Sequence, residues 1–364
     1  DGWYVTGPDG QKGIYGFYPA RGNGCITYVS AAWAKKAGYE SEDSLPANWA
    51  EYQEFLQKMK EANEDQAPVL AAGGLFNAEA PYTNYLPEFW QDAYPDFYFD
   101  EAKGEWVDGF TTDAMAAALD RIQWGYENGY LNAAILEGPS TSDVRNKYFY
   151  AGKTGVFTYW AGTWAYNNIT NLAKNELDTE CWELKPIAEM GAYLERMSPM
   201  ICITSNCKNP EGVFKYFIDT MLDGDKVQML WQYGVEGVHY EWNEDHTKIN
   251  GLVTESSKGS EKESKTTKNL FEANLKLANF AGVDPYTPQD PVIDKSFNLF
   301  NDYSKAAPAL ISSDLYTEYS STLWTEKKEL AAKVAQGEMS GAEAVAKYIE
   351  DCGTISTTVI ASFK

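Results

Sequence analysis

Residues 146–169 read NKYFYAGKTGVFTYWAGTWAYNNI. The stretch reads as the end of a helix, a glycine turn, a buried strand around Gly155–Tyr159 and a Gly-Thr turn that opens into a new helix near Trp164. Strand, tight turn and helix in direct succession are the unit of an α/β fold. The same stretch also marks an edge. Trp164 follows the carboxyl end of a strand, and open α/β sheets bind their ligands there. An indole at that edge can stack on the C–H face of a pyranose ring; packing under the helix is the other reading.

The flanking sequence keeps the alternation. Short strands are expected at Gly13–Tyr18 and Cys25–Tyr28, then a short helix in VSAAWAKKAGY closed by Gly38. LPANWAEYQEFLQKMKEAN is a helix capped by Asn48 with Glu51 three residues on, and Trp49, Tyr52, Leu56 and Met59 face the core. Residues 67–110 read as loop-rich and aromatic. TTDAMAAALDRIQWGYENG is a helix capped by Thr111 or Thr112. A strand, a loop and a helix starting at Pro210 follow in SPMICITSNCKNPEGVFKYFIDTML. Residues 253–268, VTESSKGSEKESKTTK, form a polar loop. Two helices end the chain, broken at Gly337, with Ser340 and Glu343 as a capping box.

The bulk numbers restrict function. A chain of 364 residues suggests two domains or lobes, and no apolar run is long enough to cross a membrane. Fifty-three acidic residues against 30 basic ones give a net charge of −23, which repels phosphate backbones and argues against nucleic acid. Five cysteines are too few for a disulfide scaffold. Cys202 and Cys207 could pair across a turn, or the thiols stay free. Aromatics reach 15% of the chain, with 12 Trp and 25 Tyr. Their apolar faces and polar handles suit a surface that grips a sugar.

Enzyme and metal motifs do not appear: no nucleophile elbow, zinc-protease helix, phosphate loop, dinucleotide fingerprint or calcium loop. The two histidines, His239 and His246, lie among Glu236, Glu241, Glu244 and Asp245, but their spacing matches no common metal site. No cofactor or metal is expected. A glycosidase needs two carboxylates flanking one bond, and the sequence singles out no such pair. The aromatic candidates are Trp164, the loop tyrosines Tyr82 and Tyr85, and Trp324, for which packing is the default.

Several segments, in order, resemble the extracellular solute-binding proteins of ABC importers, the sugar-binding class related to maltose-binding protein. They are DGQKGIYGFY at 9–18, VSAAWAKKAGYESEDSLPANWAEYQEFLQKMK at 29–60, YFYAGKTGVFTYWAGTW at 148–164 and ICITSNCKNPEGVFKYFIDTML at 201–222. YGVEGVHYEW at 233–242 resembles a signature of large lipoprotein members from bacteria with a Gram-positive type of envelope. The stretch EANEDQAPV departs from the calcium loop of many of those members, so no metal is carried over.

The resemblance implies a type II periplasmic-binding-protein-like α/β fold of two lobes that close over a ligand. It implies an N-terminal lobe truncated to residues 1–29 and 186–235, and a largely complete C-terminal lobe at 30–185 and 236–364. Signal peptide and lipid-anchor cysteine would belong to a missing segment of an extracellular, lipid-anchored protein. The implied function is a monomeric, non-catalytic binding component that captures an oligosaccharide and delivers it to a membrane permease.

FNAEAPYTNY resembles the family's stacking loop and matches Tyr82 and Tyr85; AGTWAYNNI matches Trp164 and Tyr166; counting back from GEMSGAEA matches Trp324. Glu79 and Asn84 are hydrogen-bonding candidates for sugar hydroxyls, and Glu236 a further one. Gripping of this kind needs few charges, so binding should depend little on salt. The alternatives are a binding protein for peptide or another non-sugar solute, a glycoside-acting enzyme, and a chain that binds nothing.

Overall fold

A computed structural model describes residues 5–6, 10–14, 16, 22–63, 68–75, 84–136, 141–196, 201–221, 226–238, 240–251, 290–308 and 313–363. The chain separates into two units: Asp1–Gly22 with Met197–Asp290, and Asn23–Arg196 with Pro291–Lys364. The polar loop at 253–268 lies outside the described residues.

The smaller unit pairs β1 (Val5–Thr6) antiparallel with β2 (Lys12–Gly13). In the larger unit, β3 (Cys25–Ser30) is flanked by β7 (Val156–Trp160) and β8 (Cys181–Leu184), both antiparallel to it, and β4 (Leu70–Ala71) lies parallel to β7. The order is therefore β4-β7-β3-β8. β3 is buried almost throughout, as a strand covered on both faces must be. Its side chains alternate between two cores, Cys25 and Val29 in one, Ile26 and Tyr28 in the other.

The first core gathers α1 (Ala31–Lys36), α2 (Trp49–Ala62), α3 (Pro87–Trp90) and α4 (Asp113–Glu127), together with α11 (Asp314–Ala335) and α12 (Gly341–Ser362). The local signals hold. Asn48 accepts from the Glu51 N–H, Thr112 caps α4, and Ser340 and Glu343 close a capping box. Tyr52, Leu56 and Met59 are fully buried and Trp49 partly so. The second core packs α6 (Thr163–Lys174) and α10 (Pro291–Tyr303) through Ala165, Leu172 and Phe300. Parallel strands β9 (Tyr193–Glu195) and β12 (Ser304–Ala306) pair beside it.

The stretch 67–110 is less loop-rich than expected. It contains α3 and a hairpin of β5 (Phe97–Asp100) and β6 (Glu105–Asp108). The Asp100 carboxylate accepts from the Ala102 and Lys103 N–H groups and folds that turn.

In the smaller unit, α7 (Pro210–Val213) starts at Pro210 as expected, a π-helical turn (Phe214–Ile218) leads into α8 (Asp219–Met221), and α9 (Lys226–Tyr233) follows. Strand β10 (Tyr240–Trp242) pairs with β11 (Ile249–Gly251). Tyr233, Tyr240 and Ile249 form a small core of their own.

The compact units divide the chain after residues 22, 196 and 290, where the lobes expected from the sequence divide it after 29, 185 and 235. Residues 25–29 belong to an interior strand of the sheet and lie in the larger unit. So does 186–196, which carries β9. Tyr240 and Ile249 pack with Tyr233 in the smaller unit. All five cysteines are free thiols, and Cys202 is exposed.

Candidate functional site

β7 ends in a knot of hydrogen bonds. Ala161 N donates to Gly24 O at 2.9 Å, and Asn23 Nδ2 donates to Ala161 O at 3.2 Å. Gly162 then turns with φ 77°, and its N–H donates to Ser296 Oγ of α10 at 2.9 Å. The Phe297 ring fills the space a Cβ would need at Gly162. Gly162→Ala is therefore expected to cost about 1–3 kcal/mol, from left-handed strain plus displacement of Phe297, read as a lower denaturant midpoint.

The turn throws Trp164 back over the strand it has just left. Its ring meets Tyr159 edge-on, with centroids 4.6 Å apart at 89°. Tyr159 in turn stacks on Tyr85 at 5.8 Å and on Phe157 at 5.7 Å. Arg145 completes the group. Its guanidinium carbon stands 4.4 Å from the Trp164 ring, 5.1 Å from Tyr159 and 5.7 Å from Tyr150.

Arg145 opens a π-helical turn (Arg145–Phe149) behind α5 (Thr141–Val144), an irregularity often found at functional positions. Burial pushes the Tyr150 phenol up to about 12, with the nearby Arg145 charge pulling the other way. The Tyr150 hydroxyl is held by donation to Asn168 Oδ1 at 2.9 Å.

The expected residues fare differently. Tyr85 and Trp164 are brought together through Tyr159, Tyr85 buried and Trp164 half-buried. Tyr166 is 39% exposed and leaves the helix on another side, since residues two apart on a helix do not face each other. Trp324 is half-buried on α11, with Lys327 Nζ 5.5 Å from its ring.

Asn84 is not open to a ligand. Its Oδ1 accepts from Leu86 N and its Nδ2 donates to Gln91 Oε1, so it forms the turn into α3. Glu236 is exposed in the smaller unit, where its charge raises the Tyr240 phenol pKa as a lesser cause after burial. Tyr82, Glu79 and His239 lie outside the described residues, as do residues 64–67 of the EANEDQAPV stretch. His246 sits in the β10–β11 turn, its ring 5.8 Å from Trp242.

Sequence reading missed Arg145 and Tyr159. Tyr159 had a signal: it stands on the strand expected to be buried, five residues before Trp164 across the turn. Arg145 had none, since it reaches the site from a separate turn. Among the described residues, no group of three or more His, Cys, Asp and Glu could hold a metal. Glu88 and Glu183, the carboxyls raised by burial to about 7, are each enclosed in the protein and are not presented to a glycosidic bond.

An alginate-binding protein, AlgQ2, matches with a TM-score of 0.62 at 18% identity, over 99% of this chain and 75% of that one. The fold is that of the solute-binding proteins. Two further structures carry the same binding-protein fold. The N-glycan transport solute-binding protein NgtS of Streptococcus pneumoniae matches at TM-score 0.58 and 16% identity, over 96% of this chain and 74% of its own. A binding protein for HMO associated with an ABC transporter, from Bifidobacterium longum infantis, matches at 0.61 and 13%, over 98% and 75%. The chain thus spans about three quarters of the binding-protein fold as these relatives have it. No family model and no curated protein matches the sequence.

Proposed function

We propose that this chain is the substrate-binding component of an ABC importer and that it captures an extracellular carbohydrate, an oligosaccharide. The observation that carries this is the aromatic group Tyr85, Tyr159 and Trp164, standing where β7 gives way to α6 on a binding-protein fold. Relatives of that fold are named for alginate, N-glycan and HMO binding. A half-buried indole braced edge-on by Tyr159 can offer a flat face to a sugar ring without reorganising.

The larger unit would be the C-terminal lobe of that fold and the smaller one part of the N-terminal lobe. The protein would act outside the cell, lipid-anchored in its full-length form, as a monomer that hands its ligand to a membrane permease. Among the described residues no helix is long and apolar enough to cross a membrane. No bond is made or broken in this role.

A glycan array with the wild type and Trp164→Ala tests the proposal. Binding to a set of oligosaccharides, weakened at least tenfold by the substitution, is the expected result. An array with no signal, or new reducing ends released from bound sugar, would overturn it.

A further inference from the structure

The Arg145 guanidinium is spent on no acid. We infer that it is the receptor for a negatively charged group on the sugar, so that the preferred ligand is an anionic saccharide. This rests on the carbohydrate reading above and narrows it.

The chain holds 53 acidic residues and only four arginines. Arg121 pairs with Asp92. Lys295 pairs with Glu42 and Lys327 with Asp108. Among the described residues no carboxylate lies within ion-pair distance of Arg145. Its neighbours are instead the rings of Trp164, Tyr159 and Tyr150.

That arrangement has a chemical direction. Cation–π contacts hold a guanidinium in place by its flat faces and leave its charge unneutralised. Its Nε is enclosed with no hydrogen-bond partner, yet the residue as a whole is only half-buried. A planar fork so held is pre-organised for two parallel bonds to a carboxylate or sulfate. The ring nearest to it is Trp164, the one proposed to stack on the ligand. A sugar on Trp164 that carries an anionic substituent would therefore meet its countercharge at the same place. The expectation of little salt dependence then reverses for such a ligand: an ion pair only partly withdrawn from water weakens with ionic strength.

The test is calorimetric titration of the wild type and Arg145→Gln with three ligands: a galacturonic acid oligosaccharide, the same oligosaccharide with its carboxyls reduced to alcohols, and a sulfated neutral oligosaccharide. At least one anionic ligand should bind tenfold or more tighter than the reduced one. That margin should vanish in Arg145→Gln and shrink with salt in the wild type. Whichever anion holds the margin identifies the charged group. Equal binding of reduced and anionic forms overturns this inference and leaves the carbohydrate reading standing. A margin that survives Arg145→Gln also overturns it. No binding of any saccharide overturns both. Should Arg145→Gln fail to fold, the salt response of the wild type and the weaker margin expected in Arg145→Lys decide the matter.

Discussion

Lys327→Met is expected to destabilise the larger unit by about 3–5 kcal/mol, the cost of removing one partner of a buried ion pair. Lys327 Nζ lies 2.8 Å from Asp108 Oδ1 and 2.8 Å from Pro95 O, and both charged side chains are 1% exposed. The rings of Phe97, Tyr348 and Trp324 surround the ammonium at 5.1–5.5 Å. Asp108 also accepts from Tyr348 OH at 2.7 Å and Ser356 Oγ at 2.8 Å. Those bonds would remain in the variant, but the carboxylate would be buried without a cation. Urea unfolding measures the loss. Adding Asp108→Asn to Lys327→Met should recover part of it, because the stranded charge is gone. A loss below about 1 kcal/mol would show that the pair is not the joint the geometry describes.

Glu88→Gln is expected to work in the opposite direction, stabilising the protein by about 2–3 kcal/mol at pH 8 and leaving it unchanged near pH 4. Glu88 is 2% exposed, and neither carboxylate oxygen has a hydrogen-bond partner. Burial lifts its pKa to about 7, against a smaller lowering by the Thr27 side chain. Facing it are Tyr52 of α2 and Tyr193 of β9, whose phenols its charge pushes further up after burial.

With the folded pKa above that of the unfolded chain, the folded state holds the proton more tightly. Its contribution is therefore complete at low pH and is lost as pH rises toward and through about 7. Glu183, also raised to about 7 by burial, adds a slope of the same sign, so the variant should keep part of the wild-type pH dependence. Melting curves from pH 4 to 8 check this. A variant less stable than wild type at pH 8 would mean that Glu88 is ionised and usefully bonded.

The amino-acid sequence carried the local structure well, because caps and strand-to-helix turns are set by residues a few positions apart. Asn48, Thr112, Ser340 and the Gly162 turn all act over that range. It carried half of the candidate site. Trp164 announces itself by following its own strand and turn. Arg145 reaches that ring from a separate π-helical turn, and no periodicity marks an arginine whose partners are ring faces. Asn84 shows the reverse error: a polar residue beside tyrosines looks like a ligand contact until its two bonds to Leu86 and Gln91 are known. The extents of the two compact units are hidden from the sequence for a related reason. They depend on pairings such as Ser304 with Tyr193, which have no local signature.

The Asp108 cluster also has a consequence in time. Its carboxylate is made early in synthesis, but Lys327, Tyr348 and Ser356 arrive more than 200 residues later. The β9 strand likewise waits for β12. A nascent chain ending near residue 300 would expose the apolar faces meant for α11 and α12 and carry a carboxylate with no countercharge. The larger unit therefore closes only once α11 and α12 have been made, a non-local order of assembly in which their apolar partners wait uncovered.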